Sequence, residues 1–247
     1  MVKSLRDWVA DDVAPVRDKS IPWLSQHHFF RDPIRPVRVD PSYFFSPADG
    51  VILYQDVVRP DGPVIDIKGS PYTVRAALRD ESYAATSLVI GIFMTFYDVH
   101  INRVPYSGRL SYRELSAIDT INRPMLDMEK GLVDELRIRA DATDYLWHNQ
   151  RMVNRIDVPA LRQSYYVLQI ADYDVDSITP FALGQNRPVG QGKRFSQIRF
   201  GSQVDLIIPL SDHYDFVPLC EPGCHVEAGN DALVRVVPTQ ATKGPRP

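Results

Sequence analysis

Residues 87–96 read SLVIGIFMTF, the most apolar stretch of the chain, and they lead directly into the polar sequence YDVH at residues 97–100. The β-branched and aromatic residues of this stretch predict a buried strand from Ser87 to Phe96. The uncharged run around it, residues 83–97, is shorter than the roughly 20 apolar residues that span a bilayer. The stretch therefore predicts a core strand and not a transmembrane segment.

On both sides of this strand, short apolar segments predict a sheet-rich fold. Twenty prolines break the chain and keep its regular elements short. Strands are predicted at Gly50–Val58, Val64–Ile67, Tyr165–Ile170, Gln203–Ile208 and Ala232–Val237, and short helices at Leu5–Val13, Thr73–Arg79 and Thr143–Arg151. The regular alternation of strands and helices typical of a doubly wound sheet is missing. We expect a strand-rich α+β fold, a single domain of mostly antiparallel sheets with short helices. Residues 1–40 are expected to form an N-terminal arm, and residues 41–247 the domain proper.

Composition limits the class of protein. The chain has 247 residues, 44% of them hydrophobic and 24% charged, which is typical of a globular domain. A net charge of −3 argues against a dedicated nucleic-acid binder, which usually carries a basic excess. Two cysteines do not form a disulfide framework and favour a reducing compartment. We therefore expect a cytoplasmic protein.

Two motifs place polar residues at the ends of predicted strands. Residues 46–50 read SPADG, which is typical of a proline turn entering a strand through Asp-Gly. Residues 98–105 read DVHINRVP, directly after the most apolar strand. His100 is well placed there for acid–base chemistry, because the imidazole pKa lies near neutrality. The alternative is a histidine whose ring is satisfied by a backbone carbonyl.

Two further motifs lie near the C-terminus. Residues 199–205 read RFGSQVD, a flexible Gly-Ser pair at the start of a strand, where it does not favour a sheet. Residues 220–229 read CEPGCHVEAG. Cys220, Cys224 and His225 would supply only three of the four ligands of a structural zinc site. A β-hairpin with a Pro-Gly turn is the simpler interpretation, and no metal is predicted.

Taken together and in this order, the motifs resemble those of the phosphatidylserine decarboxylase family, specifically its short proenzyme class. The resemblance covers residues 29–237. It rests on FFRDP at residues 29–33, SPADG at 46–50, IKGSPY at 67–72, DVHINRVP at 98–105, and GKRF at 192–195 leading to RFGSQVD at 199–205.

The resemblance implies a self-cleaving, pyruvoyl-dependent decarboxylase that converts phosphatidylserine to phosphatidylethanolamine and CO2. The chain would be cut between Gly201 and Ser202 into residues 1–201 and residues 202–247. The Ser202 hydroxyl would attack the Gly201 carbonyl, and elimination and hydrolysis would leave a covalent pyruvoyl cofactor at position 202. A serine hydroxyl needs a base that a carboxylate orients. By motif match, His100 would be the base and Asp49 the orienting carboxylate.

The resemblance leaves the substrate and the partners partly open. Arg103 stands where many relatives carry a second histidine, and we expect it to bind the carboxylate or phosphate of the substrate. Trp8, Trp23, Phe29 and Phe30 either contact membrane headgroups or pack against the domain, so peripheral membrane contact is one expectation. A homo-oligomer is another. The alternative functions are decarboxylation of a soluble amino acid and a non-catalytic β-rich binding module.

Overall fold

A nine-stranded antiparallel sheet organises the chain in a computed structural model that describes residues 2–118, 121–172, 177–199 and 201–239. The strands are β1 Lys3–Ser4, β2 Tyr43–Phe45, β3 Gly50–Val58, β4 Pro63–Ile67, β5 Ser70–Thr73, β6 Ser87–Met94, β7 Ile101–Arg103, β8 Gly108–Leu115, β9 Arg151–Val158, β10 Gln163–Ala171, β11 Ile178–Pro180, β12 Arg187–Val189, β13 Arg194–Ile198, β14 Ser202–Pro209, β15 Tyr214–Pro218, β16 Cys224–Val226 and β17 Ala232–Pro238. The strand order of the large sheet is β1-β16-β3-β6-β14-β10-β9-β8-β12, and smaller sheets are formed by β11-β13-β7, β15-β17-β2 and β4-β5. The predicted strand-rich α+β class is confirmed.

The helices are short and lie around the sheets. The α-helices are α1 Leu5–Trp8, α2 Ile21–Leu24, α3 Val74–Leu78, α4 Leu126–Val133 and α5 Tyr145–His148. Single π-helical turns continue the first two over Val9–Val13 and Ser25–Phe29, and 3₁₀ turns lie at Ala140–Ala142 and Pro159–Leu161. Within the described ranges, no helix is long and apolar enough to cross a membrane.

The sheet is covered on both faces, which explains the unbroken apolar run from which the fold was predicted. Every residue of β6 is buried, and one hydrophobic cluster lies against each face of the sheet. A strand with two buried faces reads as continuous hydrophobic sequence, whereas a half-exposed strand alternates. All six predicted strands are confirmed, with β3 at the predicted bounds. The helix predicted at Thr73–Arg79 is confirmed as α3, whose first turn is capped by the Thr73 hydroxyl.

Two sequence predictions are corrected by the structure. Within the helix predicted at Thr143–Arg151, only α5 is α-helical, and Arg151 begins β9. Its buried guanidinium donates to the Tyr72 hydroxyl and the Ala77 carbonyl, which anchors the strand. Residues 220–229 do not form a β-hairpin. The turn forms, with Gly223 at a positive φ of 87°, but β16 pairs with β1 and β3 instead of β15.

The N-terminal residues pack on the domain. Strand β1 pairs with β16, and Trp8 and Phe29 are buried. Because both rings lie inside the protein, the packing alternative is correct for these two residues, and membrane contact through them is excluded. The division of the chain at residue 40 remains a prediction.

Candidate active site

The Gly-Ser pair lies at the start of β14, in the middle of the large sheet. Ser202 is the first residue of the strand and pairs with Met94 of β6 on one side and Ala171 of β10 on the other. Its side chain is fully buried, and the Oγ donates to the thioether sulfur of Met94 at 3.3 Å. A thioether is a weak acceptor. Among the described residues, this buried hydroxyl therefore has no strong acceptor.

Gly201 is enclosed on the side where a larger residue would carry its Cβ. A Cβ at this position would lie 2.7 Å from Oδ2 of Asp172 and 3.4 Å from the ring of Phe96. The Asp172 carboxylate is fixed in turn, because its Oδ1 accepts a hydrogen bond from the Met125 backbone at 2.9 Å. The absence of a Cβ is thus what allows the backbone before Ser202 to approach this carboxylate.

The loop after β6 is built around the buried carboxylate of Asp98. One oxygen accepts hydrogen bonds from the backbone N–H and hydroxyl of Thr95, at 2.8 and 2.7 Å. The other lies 2.6 Å from Nε2 of His225, whose ring stacks on Trp8. Burial by itself raises the pKa of Asp98, but the charge of His225 and the hydrogen bonds of His225 and Thr95 outweigh burial and lower it. A charged carboxylate therefore holds the loop that carries His100.

His100 is buried on the same loop, between backbone carbonyls and an aromatic ring. Its Nε2 lies 2.8 Å from the Thr95 carbonyl and its Nδ1 3.2 Å from the Ile198 carbonyl. The Phe29 ring stacks on it at a centroid distance of 5.1 Å. Burial lowers the pKa of His100, which favours the neutral ring. Since a neutral imidazole donates only once and both contacts are acceptors, its second ring nitrogen presents a lone pair.

Asp49 forms a bidentate ion pair with Arg35, with both N–O distances at 2.6 Å, and also accepts from the Ala228 backbone at 2.8 Å. Both side chains are largely buried. Among the described residues, no hydrogen bond links Asp49, His100 and Ser202 to one another. The structure thus brings the three predicted residues to one region of the fold without joining them in a triad.

Arg103 lies beside this ion pair in an electropositive environment. It donates to the Gly192 carbonyl at 3.1 Å, and its Nη2 lies 3.5 Å from the Asp32 carboxylate, which also pairs with Arg194 at 2.8 Å. Burial lowers the pKa of Arg103, and the nearby charges of Arg35 and Arg194 lower it further. Such a concentration of guanidinium groups suits an anionic ligand.

A buried polar network lies beside the Met94 sulfur that Ser202 contacts. The side-chain oxygen Oδ1 of Asn102 accepts a hydrogen bond from Gln169 at 2.6 Å, and Asn154 donates to Gln169 at 2.9 Å. The Asn102 amide nitrogen lies 3.6 Å from the Met94 sulfur, the atom to which Ser202 donates. The network fixes the amide beside the serine.

Sequence reasoning missed several of these residues. Asp98 and Asp172 were given no role, Arg35 was not linked to Asp49, and His225 was considered only as a weak metal ligand. Asp98 belongs to the quoted DVHINRVP motif, so its position beside His100 was a usable signal. The pairs Asp98–His225 and Asp49–Arg35 join residues that lie in different parts of the sequence and share no motif. The sequence alone therefore could not predict that they meet.

Comparison with known proteins identifies the family of the chain. The family model described as phosphatidylserine decarboxylase matches residues 27–234, which include Asp49, His100, Gly201 and Ser202. A phosphatidylserine decarboxylase proenzyme from Erythrobacter litoralis is 31% identical over 218 residues, covering 87% of this chain and 75% of the relative. One from Ehrlichia chaffeensis is 31% identical over 189 residues, covering 75% of this chain and 66% of the relative. A putative archaetidylserine decarboxylase proenzyme from Methanopyrus kandleri is 29% identical over 208 residues, covering 84% and 80%. The chain belongs to the phosphatidylserine decarboxylase family.

Proposed function

We propose that this protein is a self-cleaving decarboxylase that converts phosphatidylserine to phosphatidylethanolamine and CO2. The observation that carries the proposal is the Gly201–Ser202 pair, which starts a central strand of the sheet in a chain of this family. The relatives are named as decarboxylase proenzymes of two serine phospholipids. Those names favour a phospholipid substrate over a soluble amino acid and over a non-catalytic module.

Self-cleavage starts with the Ser202 hydroxyl. Its Oγ turns from Met94 toward the Gly201 carbonyl and attacks it, while the neutral ring of His100 takes the proton. The proton passes from His100 to the Ser202 nitrogen, which leaves as a free amine when the Gly201–Ser202 C–N bond breaks, and an ester forms between the Ser202 Oγ and the Gly201 carbonyl carbon. Loss of the Ser202 Cα proton expels the Gly201 carboxylate from Cβ. Uptake of one water and release of one ammonia then leave a ketone at position 202.

Asp49 acts on His100 through the segment that covers the histidine. Its carboxylate holds Arg35, and the chain from Phe29 to Arg35 carries the ring that stacks on His100. A buried bidentate pair fixes both partners in one geometry. We therefore assign Asp49 as a positioning residue that holds this segment over the base.

The surroundings of residue 202 fit a pyruvoyl group. The Ser202 side chain is fully buried against the Met94 thioether, so a methyl group replacing CH2–OH would lose no strong hydrogen bond. When formed, the group supplies the electron sink that decarboxylation of an amino acid requires. We expect Arg103 and Arg194 to bind the carboxylate or phosphate of the substrate and to orient it.

We also infer that the protein works in the cytoplasm. Cys220 and Cys224 are both free thiols, and burial raises the pKa of Cys220 to about 11, so this thiol is unreactive. Free thiols support a reducing compartment.

Intact-mass spectrometry of the purified chain tests the proposal. Cleavage is expected to give fragments of about 23 and about 5 kDa from the 28.1 kDa chain. The smaller fragment should resist Edman sequencing, because a ketone has replaced its amine. The Ser202→Ala chain should stay intact and inactive. Release of CO2 is then compared between phosphatidylserine in detergent micelles and free serine. An intact chain that still decarboxylates, or activity on serine alone, would contradict the proposal.

A further inference from the structure

Gln203, the residue that directly follows Ser202, has a fully buried side chain whose polar atoms all form hydrogen bonds. Its Nε2 donates to the Tyr54 hydroxyl at 2.6 Å and to Oδ1 of Asp205 at 2.7 Å, and its Oε1 accepts from the Tyr145 hydroxyl at 2.7 Å. The Tyr54 hydroxyl in turn donates to Oδ2 of Asp205 at 2.9 Å. We call these four side chains the Gln203 network. Since an amide offers two N–H donors and one carbonyl, the network fixes the Gln203 side chain in one orientation.

The large sheet makes room for this network at Gly91. Tyr54 on β3 and Asp205 on β14 both pair with Gly91, which lies on the strand between them. A Cβ on Gly91 would lie 2.3 Å from Cζ of the Tyr54 ring. A glycine inside a strand weakens the strand, and here it allows the ring to cross β6 and reach β14. The network therefore connects the start of β14 to β3 and, through Tyr145, to α5.

The network lies on the opposite face of the sheet from the Ser202 hydroxyl. Ser202 directs this hydroxyl toward Met94, which belongs to the hydrophobic cluster on one face, whereas Tyr145 belongs to the cluster on the other. This agrees with the rule that successive side chains of a strand point to opposite faces. Gln203 can therefore influence the chemistry at position 202 only through the peptide bond that joins the two residues.

Self-cleavage would change how position 202 is held. In the uncut chain, Ser202 is bonded to Gly201 on one side and to Gln203 on the other. After cleavage, residue 202 is the end of the small chain, residues 202–247, and the ketone that replaces its amine has no N–H to donate to the sheet. Chain ends are poorly ordered unless they are tied down. Gln203 is then the first residue of the small chain that has both a backbone N–H and a side chain bonded to other elements.

We propose that Gln203 is a positioning residue that fixes the ketone end of the small chain. The proposal rests on the proposed function, because self-cleavage creates this chain end. Gln203 takes no part in the bond-making steps, and its side chain acts by holding the strand on which residue 202 lies.

A fixed position of residue 202 matters at two steps. In the ester intermediate, loss of the Ser202 Cα proton leads to the ketone. If water attacks the ester carbonyl instead, the Ser202 hydroxyl is released and the small chain keeps an ordinary serine end. In the finished enzyme, the ketone has to meet the substrate in one geometry, and a displacement of about 1 Å can cost about a hundredfold in rate.

The Gln203→Met variant tests the first of these steps, because methionine is similar in length to glutamine but has no N–H donor. Intact-mass spectrometry distinguishes the two ends of the small chain, since the serine end is heavier by one ammonia. We expect the precursor to be cut at close to the wild-type rate, because the uncut chain holds Ser202 from both sides. The fraction of small chains that end in serine should increase.

The same variant tests the second step through the rate of CO2 release. This rate is expressed per ketone end, and the ketone ends are counted by the hydrazone that they form with phenylhydrazine. We expect kcat to fall about tenfold or more and KM for phosphatidylserine to stay unchanged, because Arg103 and Arg194 are untouched. A merely structural role would reduce the amount of folded enzyme without changing kcat per ketone end. All measurements are made at about pH 8, because burial raises the pKa of Asp205 to about 6 and a charged carboxylate is needed to accept both hydrogen bonds.

Two further variants make the comparison specific. Gln163→Met is the matched control at the other end of β14, because the Gln163 side chain donates to the carbonyl of Pro209, the last residue of the strand, at 2.9 Å. It should match the wild type in cleavage, in the ketone fraction and in kcat. Tyr145→Phe removes one hydrogen bond to Gln203 and leaves β14 unchanged. It should change the ketone fraction and kcat in the same direction as Gln203→Met, by a smaller factor.

Two results would overturn the proposal. One is a ketone fraction and a kcat of Gln203→Met equal to those of Gln163→Met, and the other is precursor cleavage slowed by the same factor as kcat. If Gln203→Met does not fold, wild-type values for Tyr145→Phe overturn the proposal in the same way. A wild-type chain that stays uncut contradicts both the proposed function and this proposal. Wild-type cleavage and CO2 release with unaffected variants contradict only the role of Gln203.

Discussion

The Asp98 carboxylate and the His225 imidazole, 127 positions apart in sequence, meet at 2.6 Å beneath the loop that carries His100. Both side chains are buried, and Asp98 also holds the backbone and hydroxyl of Thr95. The Thr95 carbonyl is in turn a contact of His100. The pair therefore connects the C-terminal part of the chain to the geometry of the proposed base.

Removal of His225 should destabilise the protein in a pH-dependent way. His225→Ala leaves a buried carboxylate without its partner, at a cost of about 3 kcal/mol in the free energy of unfolding at pH 7. The pKa of Asp98 is lowered in the folded protein. The charged carboxylate therefore contributes its full stabilisation above about pH 4, the ordinary pKa of an aspartate, and loses it as the pH falls through the lowered pKa. The difference between wild type and variant should therefore narrow in acid. This difference in the free energy of unfolding is measured by urea unfolding, with Ser202→Ala present in both chains so that they stay uncleaved.

His213→Gln is the matched control, because His213 is exposed on the surface. It should leave the free energy of unfolding unchanged within about 0.5 kcal/mol. A His225→Ala chain as stable as this control at pH 7 would show that the Asp98 pair contributes nothing to the fold.

A methyl group on Gly201 should interfere with both folding and cleavage. In Gly201→Ala, the new Cβ would lie 2.7 Å from the Asp172 carboxylate and 3.4 Å from the Phe96 ring. We expect a loss of about 1–3 kcal/mol in stability and slower cleavage. The atom nearest to the new Cβ belongs to the side chain of Asp172. Adding Asp172→Ala should therefore restore part of the stability and part of the cleavage rate. Thermal unfolding and gel analysis of Gly201→Ala, Asp172→Ala and the double variant form the test, and no rescue in the double variant would show that Asp172 is not the obstacle.

The Asp49–Arg35 pair corrects an expectation drawn from the sequence. A carboxylate in a proline turn is expected to be exposed, so that Asp49→Ala would slow cleavage and leave the fold intact. The structure buries Asp49 to 3% exposure against Arg35. Besides slowing cleavage, Asp49→Ala should therefore lower the free energy of unfolding by about 3 kcal/mol, because it leaves a buried guanidinium unpaired.

A double variant separates the two effects of Asp49. Asp49→Ala/Arg35→Met removes both charges and should recover most of the stability, but it should still cleave slowly because the segment over His100 is no longer held in place. Denaturant unfolding and a cleavage time course on the same samples distinguish stability from positioning. Full recovery of the cleavage rate would mean that Asp49 has only a structural role.

Most of the strands that the sequence predicted correctly have buried, β-branched residues. Strand β3 was predicted at its observed bounds, and β6 and β14 to within two residues. Strand β8 was not predicted, because it is half-exposed and carries charged residues such as Arg109. Strand β9 was not predicted although most of its residues are buried, because polar residues such as Asn154 and Arg155 interrupt its apolar sequence. Arg151 misled the prediction in a similar way. It is a buried arginine at the start of a strand, but in the sequence it is indistinguishable from a polar residue of a helix.

The candidate site was predictable only where a motif carried it. His100, Gly201 and Ser202 were proposed as site residues because they lie in recognisable motifs. Ser202 is the first residue of β14, and His100 contacts the Thr95 and Ile198 carbonyls. The partners of these residues come from other elements. Arg35 reaches Asp49 from the N-terminal chain, and His225 reaches Asp98 from β16. Such contacts depend on the order of strands in the sheet, which local sequence does not encode.

The last prediction distinguishes the roles of His100 and Arg103. His100→Ala should block self-cleavage, because the neutral ring is the proposed base and a guanidinium stays protonated and cannot replace it. Arg103→Ala should cleave at the normal rate but show a raised KM for phosphatidylserine, since its role is to bind an anion. Burial lowers the pKa of His100, so wild-type cleavage should keep its rate as the pH falls through 6.5 and decline only in stronger acid. A gel time course between pH 5 and 8 gives the profile, and a CO2 assay gives KM. If His100→Ala matures at the wild-type rate, or if the rate falls with an apparent pKa above 6.5, His100 in its buried position is not the base.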